Sequence, residues 1–218
     1  MNVISFVSYS GSSSLGQEAR DAARLVRAVK RYERSEKLTR LSRFCRLDIN
    51  TPLQALEWFG KLGAFVLEKK NLPLPITLIP VPNSECSLTN DGALRTRLLA
   101  EVIAKEQIGA HVWDCLRWKR VLPPSHCGGT RDVRRLCREL VVIKTPHHSG
   151  SVVLVDDVVA TGAHLRAVSY ILANLGVQCD YALCLARVEH TVLLPFAIKQ
   201  GWIPNRSYDS SERRGSTQ

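Results

Sequence analysis

Val152-Val153-Leu154-Val155-Asp156-Asp157-Val158-Val159-Ala160-Thr161-Gly162-Ala163 is the stretch that decides the fold. Four apolar residues in a row, without alternation, suit a strand covered on both faces, as in the parallel sheets of α/β proteins. Leu165, Val168, Leu172 and Leu175 then recur at helical spacing, and Gly176 stands where a helix C-cap glycine belongs. The segment from Val158 to Ala163 is therefore a strand-to-helix turn, with a helix starting near Thr161 or Gly162. The first N–H groups of a helix lack intrahelical partners and lie at the positive end of its dipole, so they hold phosphate well. Gly162, with Ala160 and Ala163, lets an anion approach the backbone, and Thr161 adds a hydroxyl donor. Asp156 and Asp157 repel an anion, but they can accept hydrogen bonds from sugar hydroxyls or meet a hard cation that bridges to a ligand.

An apolar strand ending in two acids and followed by a small-residue loop with Thr-Gly resembles the signature of type I phosphoribosyltransferases. The resemblance runs through Val153-Leu154-Val155-Asp156-Asp157-Val158, then Ala160-Thr161-Gly162-Ala163. It implies transfer of a 5-phosphoribosyl group from phosphoribosyl pyrophosphate (PRPP) to a nucleobase or amine, with release of pyrophosphate and with Mg2+ as cofactor. Asp156 and Asp157 would then hold the ribose hydroxyls. Val159, Ala160, Thr161, Gly162 and Ala163 would hold the 5-phosphate, and Mg2+ would bind mainly through PRPP rather than through protein ligands. His164 departs from the family, which usually has Ser or Thr there; a protonated imidazole could replace the lost hydroxyl, or the ring could face solvent. Paired acids after an apolar strand also occur in receiver domains of response regulators. Those need roughly a hundred residues after the acids to complete a domain, and only 61 follow Asp157.

The remaining chain agrees with an α/β domain. Glu18 to Arg34 carries Ala19, Ala22, Ala23, Val26 and Val29 on one helical face. Thr51 and Pro52 have the residue types of an N-cap and a first helical position, opening a second helix that runs to about Lys70. Leu72-Pro73-Leu74-Pro75 is a stiff connector. Strands are expected at Ile76–Val81, Val112–Arg117, Leu140–Ile143, Val152–Val155 and Tyr181–Ala186, with a helix over Gly92–Lys105. Alternation of this kind predicts a doubly wound, mostly parallel sheet flanked by helices, with ligands beyond the carboxyl ends of its strands. The expected organisation is an amino-terminal helical region over 1–70 packed on an α/β core over 71–205. The polar segment 206–218 is expected to be a disordered tail.

Two further segments are candidates. Ile79-Pro80-Val81-Pro82-Asn83-Ser84 puts a turn at the end of an apolar strand. It resembles the Pro-Val-Pro loop of the ComF-like branch of the family (competence proteins and amidophosphoribosyltransferase relatives), which implies that Asn83 and Ser84 contact pyrophosphate. Arg117 to Arg138 holds seven Lys or Arg residues and one acid, Asp132. The resemblance implies a flexible loop here that brings cations to the leaving pyrophosphate, with Lys119, Arg120 and Arg131 the best matches. A solvated basic face or a nucleic-acid patch fits the same residues. The basic Leu25-Val26-Arg27-Ala28-Val29-Lys30-Arg31-Tyr32 also resembles the Lys-Tyr helix of that branch, whereas the branch's cysteine-rich zinc module is missing.

Composition narrows the classes. The 218-residue chain is 45% hydrophobic, enough for one sizeable core. The seven cysteines form no Cys-x-x-Cys pair, which argues against a zinc ribbon and a disulfide framework. No run approaches a membrane span, and Met1–Ser5 lacks the plan of a signal peptide, so a cytoplasmic location away from membranes is expected. A formal charge of +10, with ten Lys or Arg against four acids over 18–46, attracts phosphate of any origin. No helix-turn-helix, zinc finger or stacking motif supports nucleic-acid reading, although that association stays open, as does a homodimer. Besides the enzyme, a non-catalytic PRPP- or nucleotide-binding regulator and a ComF-like protein associated with DNA uptake are compatible readings. The acceptor hood is unidentified; Trp202 and the residues around Glu189-His190 are candidates for it.

Overall fold

The apolar run at 152–155 is the middle of a nine-residue strand, β6 (Ser151–Val159), which is paired on both sides. The computed structural model describes residues 1–10, 17–30, 49, 51–90, 95–123, 129–144, 149–189 and 194–203. Parallel neighbours flank β6: β2 (Ile76–Pro80) on one side and β7 (Tyr181–Val188) on the other. Beyond β2 lies β3 (Ala110–Val112), and beyond β7 lies β1 (Asn2–Tyr9), both again parallel. An antiparallel edge strand, β8 (Phe196–Trp202), closes the far side. The order is therefore β3-β2-β6-β7-β1-β8.

Each face of this sheet has its own core. Helices α1 (Gln17–Lys30), α2 (Pro52–Lys69) and α3 (Arg95–Glu106) cover one face, where Leu25, Phe59, Leu99 and Ile103 pack with Ile76, Leu78, Val153 and Val155. The other face carries α4 (Val133–Glu139), α5 (Ala163–Ala173) and a two-stranded antiparallel ribbon of β4 (Leu116–Trp118) and β5 (Leu140–Val142). There Leu136, Leu165, Val168 and Leu172 pack with Val152, Leu154, Ala182 and Cys184. Helices on both faces of a mostly parallel sheet make this an α/β architecture of the doubly wound kind. Among the described residues no helix is long and apolar enough to cross a membrane.

Local signals account for several of these boundaries. The Thr51 hydroxyl accepts from the Gln54 N–H at 3.2 Å, and the Gln54 side chain accepts from the Thr51 N–H at 3.0 Å, a complete capping box with Pro52 at the first position. Gly176, at φ 78, ends α5 in the left-handed conformation expected of a C-cap glycine. Other expectations are corrected. The amino-terminal region is not all helical, because Asn2–Tyr9 forms a strand inside the sheet. The expected strand at 112–117 is two pieces: Trp113 still donates to Leu78 O, after which the chain leaves the sheet and Leu116–Trp118 joins the ribbon. Strand β8 is an element that the sequence reading does not contain. The end of the first helix beyond Lys30, the start of the third before Arg95, and the 206–218 tail lie outside the described residues.

Helices α2 and α3 meet through glycine. A Cβ on Gly60 would lie 2.6 Å from the Val102 carbonyl oxygen, and one on Gly63 would lie 2.7 Å from Ile103 Cγ1. In an open helix, Gly→Ala gains up to about 1 kcal/mol. At Gly60 the obstacle is backbone, which cannot rotate away, so Gly60→Ala should instead destabilise the fold by about 1–3 kcal/mol. Urea denaturation measures this; a stabilised variant would contradict the close approach.

Candidate functional site

The chain reverses its direction of travel across the sheet between β2 and β6. From β2 it passes through α3 outward to β3; from β6 it passes through α5 the opposite way to β7. The two loops therefore part at adjacent carboxyl ends, which is where crevices open in doubly wound sheets. The loop after β2 contains Asn83 and Ser84; the loop after β6 contains Ala160, Thr161 and Gly162. Both motif loops thus stand side by side, joined at their base by Val81 N–H donating to Val155 O at 2.9 Å.

The first loop is pinned from the ribbon. The Trp118 indole N–H is shared between the carbonyls of Pro82 and Asn83, at 3.0 Å each. Cys86 N–H donates to Asn83 O, and Leu122 N–H to Ser84 O. Asn83 is buried and Ser84 half-buried. In the second loop Ala160 and Thr161 are exposed while Val159, Gly162 and Ala163 are buried. Thr161 Oγ1 accepts from Ala163 N–H at 3.4 Å. Gly162 has φ 72, and a Cβ there would collide with the Ile203 side chain. The glycine is thus required by its backbone conformation, while the end of the Ile203 side chain lies over it.

Asp156 and Asp157 lie within β6 rather than at its tip, and strand alternation sends them to opposite faces. Asp157 faces the α1–α3 layer, with Arg95 Nε 3.4 Å and Lys30 Nζ 3.9 Å from its Oδ2. Arg95 also donates through Nη1 to the Lys30 carbonyl at 3.4 Å, so it ties α1 to α3. Asp156 lies on the α5 side, opposite Cys184 in register, and accepts from the Asp157 N–H at 2.8 Å. Only 7% of Asp156 and 9% of Asp157 is exposed, so both carboxyls sit deeper than a simple strand-tip picture requires. Burial, with the Asp157 charge second, pushes the Asp156 carboxyl up to about 8. The neighbouring Cys184 thiol is raised well above its ordinary value, again chiefly by burial.

His164 does neither of the things expected of it. Its ring lies half-buried, tilted 50° against Trp118 with centroids 5.4 Å apart, and burial lowers its pKa. The neutral imidazole is favoured, so it is not a substitute cation. It links the start of α5 to the tryptophan that pins the other loop.

The basic segment divides. Arg117 is a buried structural residue, forked onto Asp114 with Nη2–Oδ2 at 2.9 Å. Arg120 is committed to Glu139 across the base of the ribbon, through contacts of 3.2 and 2.8 Å. Lys119 and Arg131 are exposed; residues 124–128 between them lie outside the described residues. Trp202 is 67% exposed on β8, and Glu189 pairs with Lys199 Nζ at 2.6 Å, while His190 lies outside the described residues. Lys30 and Arg95 are the site residues that sequence reading missed; the basic run 25–32 held the single local hint.

Among the described residues no group of three or more His, Cys, Asp or Glu converges on a metal position. The carboxyl oxygens of Asp156 and Asp157 have the hard-donor chemistry suited to Mg2+, in company with oxygens supplied by a ligand.

No family model matches this chain, and no curated protein does. Among solved structures, the crystal structure of TT1426 from Thermus thermophilus is similar at 16% identity and a TM-score of 0.36, covering 64% of this chain and 86% of that one.

Two outcomes follow from this geometry. The folded protein binds the Asp156 proton more tightly than the unfolded chain, so stability falls as pH rises from the ordinary carboxyl range toward 8. Asp156→Asn keeps the acceptor for the Asp157 N–H but cannot ionise. Its melting temperature should overtake that of the wild type by a few degrees as pH rises from 5 to 8.5; parallel curves would contradict the raised pKa. Gly162→Ala should cost about 1–2 kcal/mol from its positive φ, since the end of the Ile203 side chain can turn aside. Thermal unfolding beside wild type decides it.

Proposed function

We propose that the crevice between the loops after β2 and β6 binds PRPP and that the protein transfers its 5-phosphoribosyl group to a nucleobase or amine. The observation that carries this reading is the adjacency of the two motif loops at the reversal point of the sheet, with Asp157 between α1 and α3 beside them. In this reading the finer fold is that of a type I phosphoribosyltransferase.

The backbone from Val159 to Ala163 would receive the 5-phosphate, with Thr161 turning its hydroxyl from Ala163 N–H to a phosphate oxygen. Asn83 and Ser84 would face the pyrophosphate, and Asp157 would accept from a ribose hydroxyl. Mg2+, held by Asp156 or Asp157 together with ligand oxygens, would neutralise charge on the pyrophosphate. The bond from C1 to the pyrophosphate oxygen breaks, with the electron pair leaving on pyrophosphate. The acceptor nitrogen then bonds to C1 and loses its proton to solvent or a nearby base. The Asp157 carboxylate near the ring would favour the positive charge that develops on the ribose.

One set of contacts favours the second reading, a regulator that binds PRPP or a nucleotide without turnover. Arg120 is paired with Glu139 in an exposed contact, and His164, its pKa lowered by burial, is packed against Trp118 where the family offers a hydroxyl. Neither arrangement assists a leaving group.

Calorimetry with PRPP and Mg2+ separates these cases. Wild type should bind, and Asp156→Asn combined with Asp157→Asn should weaken binding at least tenfold, about 1.4 kcal/mol or more. No heat with PRPP at millimolar concentration would overturn the site assignment. Pyrophosphate release with a panel of bases and amines identifies the enzyme; binding without release across the panel identifies the regulator.

A further inference from the structure

Among the ion pairs of the described residues, the cluster at Asp157 belongs to the looser ones, together with Arg24–Asp21 at 3.3 Å and Arg97–Asp114 at 3.7 Å. Arg120 reaches Glu139 at 2.8 Å, Arg97 reaches Glu101 at 2.8 Å, and Lys199 reaches Glu189 at 2.6 Å. At Asp157 the separations are 3.4 Å to Arg95 and 3.9 Å to Lys30. More telling, Asp157 Oδ2 and Arg95 Nε are both shielded from solvent and neither makes a hydrogen bond. Buried acceptors and donors are nearly always satisfied, because removing them from water without replacement is costly. Here an acceptor and a donor lie 3.4 Å apart in poor alignment, held by charge alone. A hydroxyl would satisfy Oδ2, and an anionic oxygen would satisfy Nε. A ligand that offers both from neighbouring atoms is a sugar carrying a phosphate next to a free hydroxyl.

We propose that Lys30 and Arg95 form an exchangeable cation pair. In the free protein they hold Asp157; when a sugar phosphate enters, its hydroxyl takes Asp157, and the two cations pass to the oxygens of the adjacent phosphate or pyrophosphate. The placement supports the exchange. Lys30 lies in the last described turn of α1 and Arg95 in the first described turn of α3, so the two elements bring both cations to the same carboxylate. Their side chains retain 34% and 25% exposure against 12% for Asp157, so they close the solvent side of the carboxylate and can swing outward. The Arg95 Nη1 contact to the Lys30 carbonyl also joins the two residues directly. This assignment rests on the reading that a phosphorylated sugar occupies the crevice, and it adds the residues that hold its anomeric phosphate.

Calorimetry with three probes, inorganic pyrophosphate, ribose 5-phosphate, and PRPP with Mg2+, tests it on wild type, Lys30→Gln, Arg95→Gln and Asp157→Asn. The two cation variants should lose at least tenfold in affinity for pyrophosphate and PRPP and stay within threefold for ribose 5-phosphate, which the 159–163 loop holds. Asp157→Asn should bind inorganic pyrophosphate several-fold tighter, because the internal competitor for the cations is gone. A merely structural ion pair would not produce that gain. Should Arg95→Gln fail to fold, Lys30→Gln and Asp157→Asn still decide, since Lys30→Gln leaves the backbone carbonyl in place. Unchanged pyrophosphate affinity in Lys30→Gln, with no gain in Asp157→Asn, overturns the exchange while leaving PRPP binding by the wild type intact. Wild type that binds none of the three probes overturns the PRPP reading and this inference together.

Discussion

Two adjacent carboxyls on a strand buried on both faces impose the constraint around which this molecule is built. β6 has a parallel neighbour on either side and helices above and below, so neither Asp156 nor Asp157 can turn to bulk water. Two charges a few ångströms apart in such a setting cannot both remain unbalanced. The structure resolves the conflict differently on the two faces. Asp157 draws cations from α1 and α3, while Asp156, on the other face and covered by the α5 layer, keeps its proton into the neutral range because burial and the Asp157 charge outweigh the pull of Lys30 and Arg95. The strand thus holds one compensated acid and one neutralised acid rather than a twin anion.

That division has consequences for the loops. Because Asp157 is compensated from the α1–α3 side, the carboxyl end of β6 is bound to the helix that follows β2. On the other face, Trp118 fixes the carbonyls of the first loop and stacks with His164 at the start of α5. The two exits are therefore coupled twice, by charge on one face and by aromatic packing on the other. The neutral state of His164 is what allows it to lie against an indole without burying an unpaired charge. A Ser or Thr at the same position could reach a phosphate but could not fill that space.

Much of the fold was legible because its signals are local. The unbroken apolar run of β6, the capping box at Thr51, and the glycine at 176 each declare an element without reference to the rest of the chain. β1 and β8 escaped because neither is defined by its neighbours in sequence. β1 interrupts its apolar residues with Ser5 and Ser8, both buried, and is completed by pairing with β7 nearly 180 residues away. β8 alternates half-buried and exposed residues along an edge, a pattern shared with ordinary loops. The run 112–117 read as one strand, yet the chain turns out of the sheet after Trp113, a course set by the ribbon pairing with β5. The site followed the same logic. Both loops were visible from strand-end residues, but the partners of Asp157 come from positions more than 60 and more than 120 residues upstream.

Charge shows most clearly how sequence proximity misleads. The basic run from Arg117 to Arg138 looks like a single cationic surface, yet its members have separate fates. Arg117 stabilises the turn into β4 through Asp114, and Arg120 pairs with Glu139 at the surface of the ribbon; all three loop candidates are exposed, with Lys119 and Arg131 outside these pairs. Meanwhile the cations that reach the acidic pair come from two helices that no run of sequence connects. A guanidinium already forked onto a carboxylate must break two hydrogen bonds before it can serve a ligand. One held at 3.4 Å, with its Nε unbonded, has far less to give up. The unbonded state of Asp157 Oδ2 and Arg95 Nε, more than separation or charge, is therefore what suits this cluster to exchange partners with an anion.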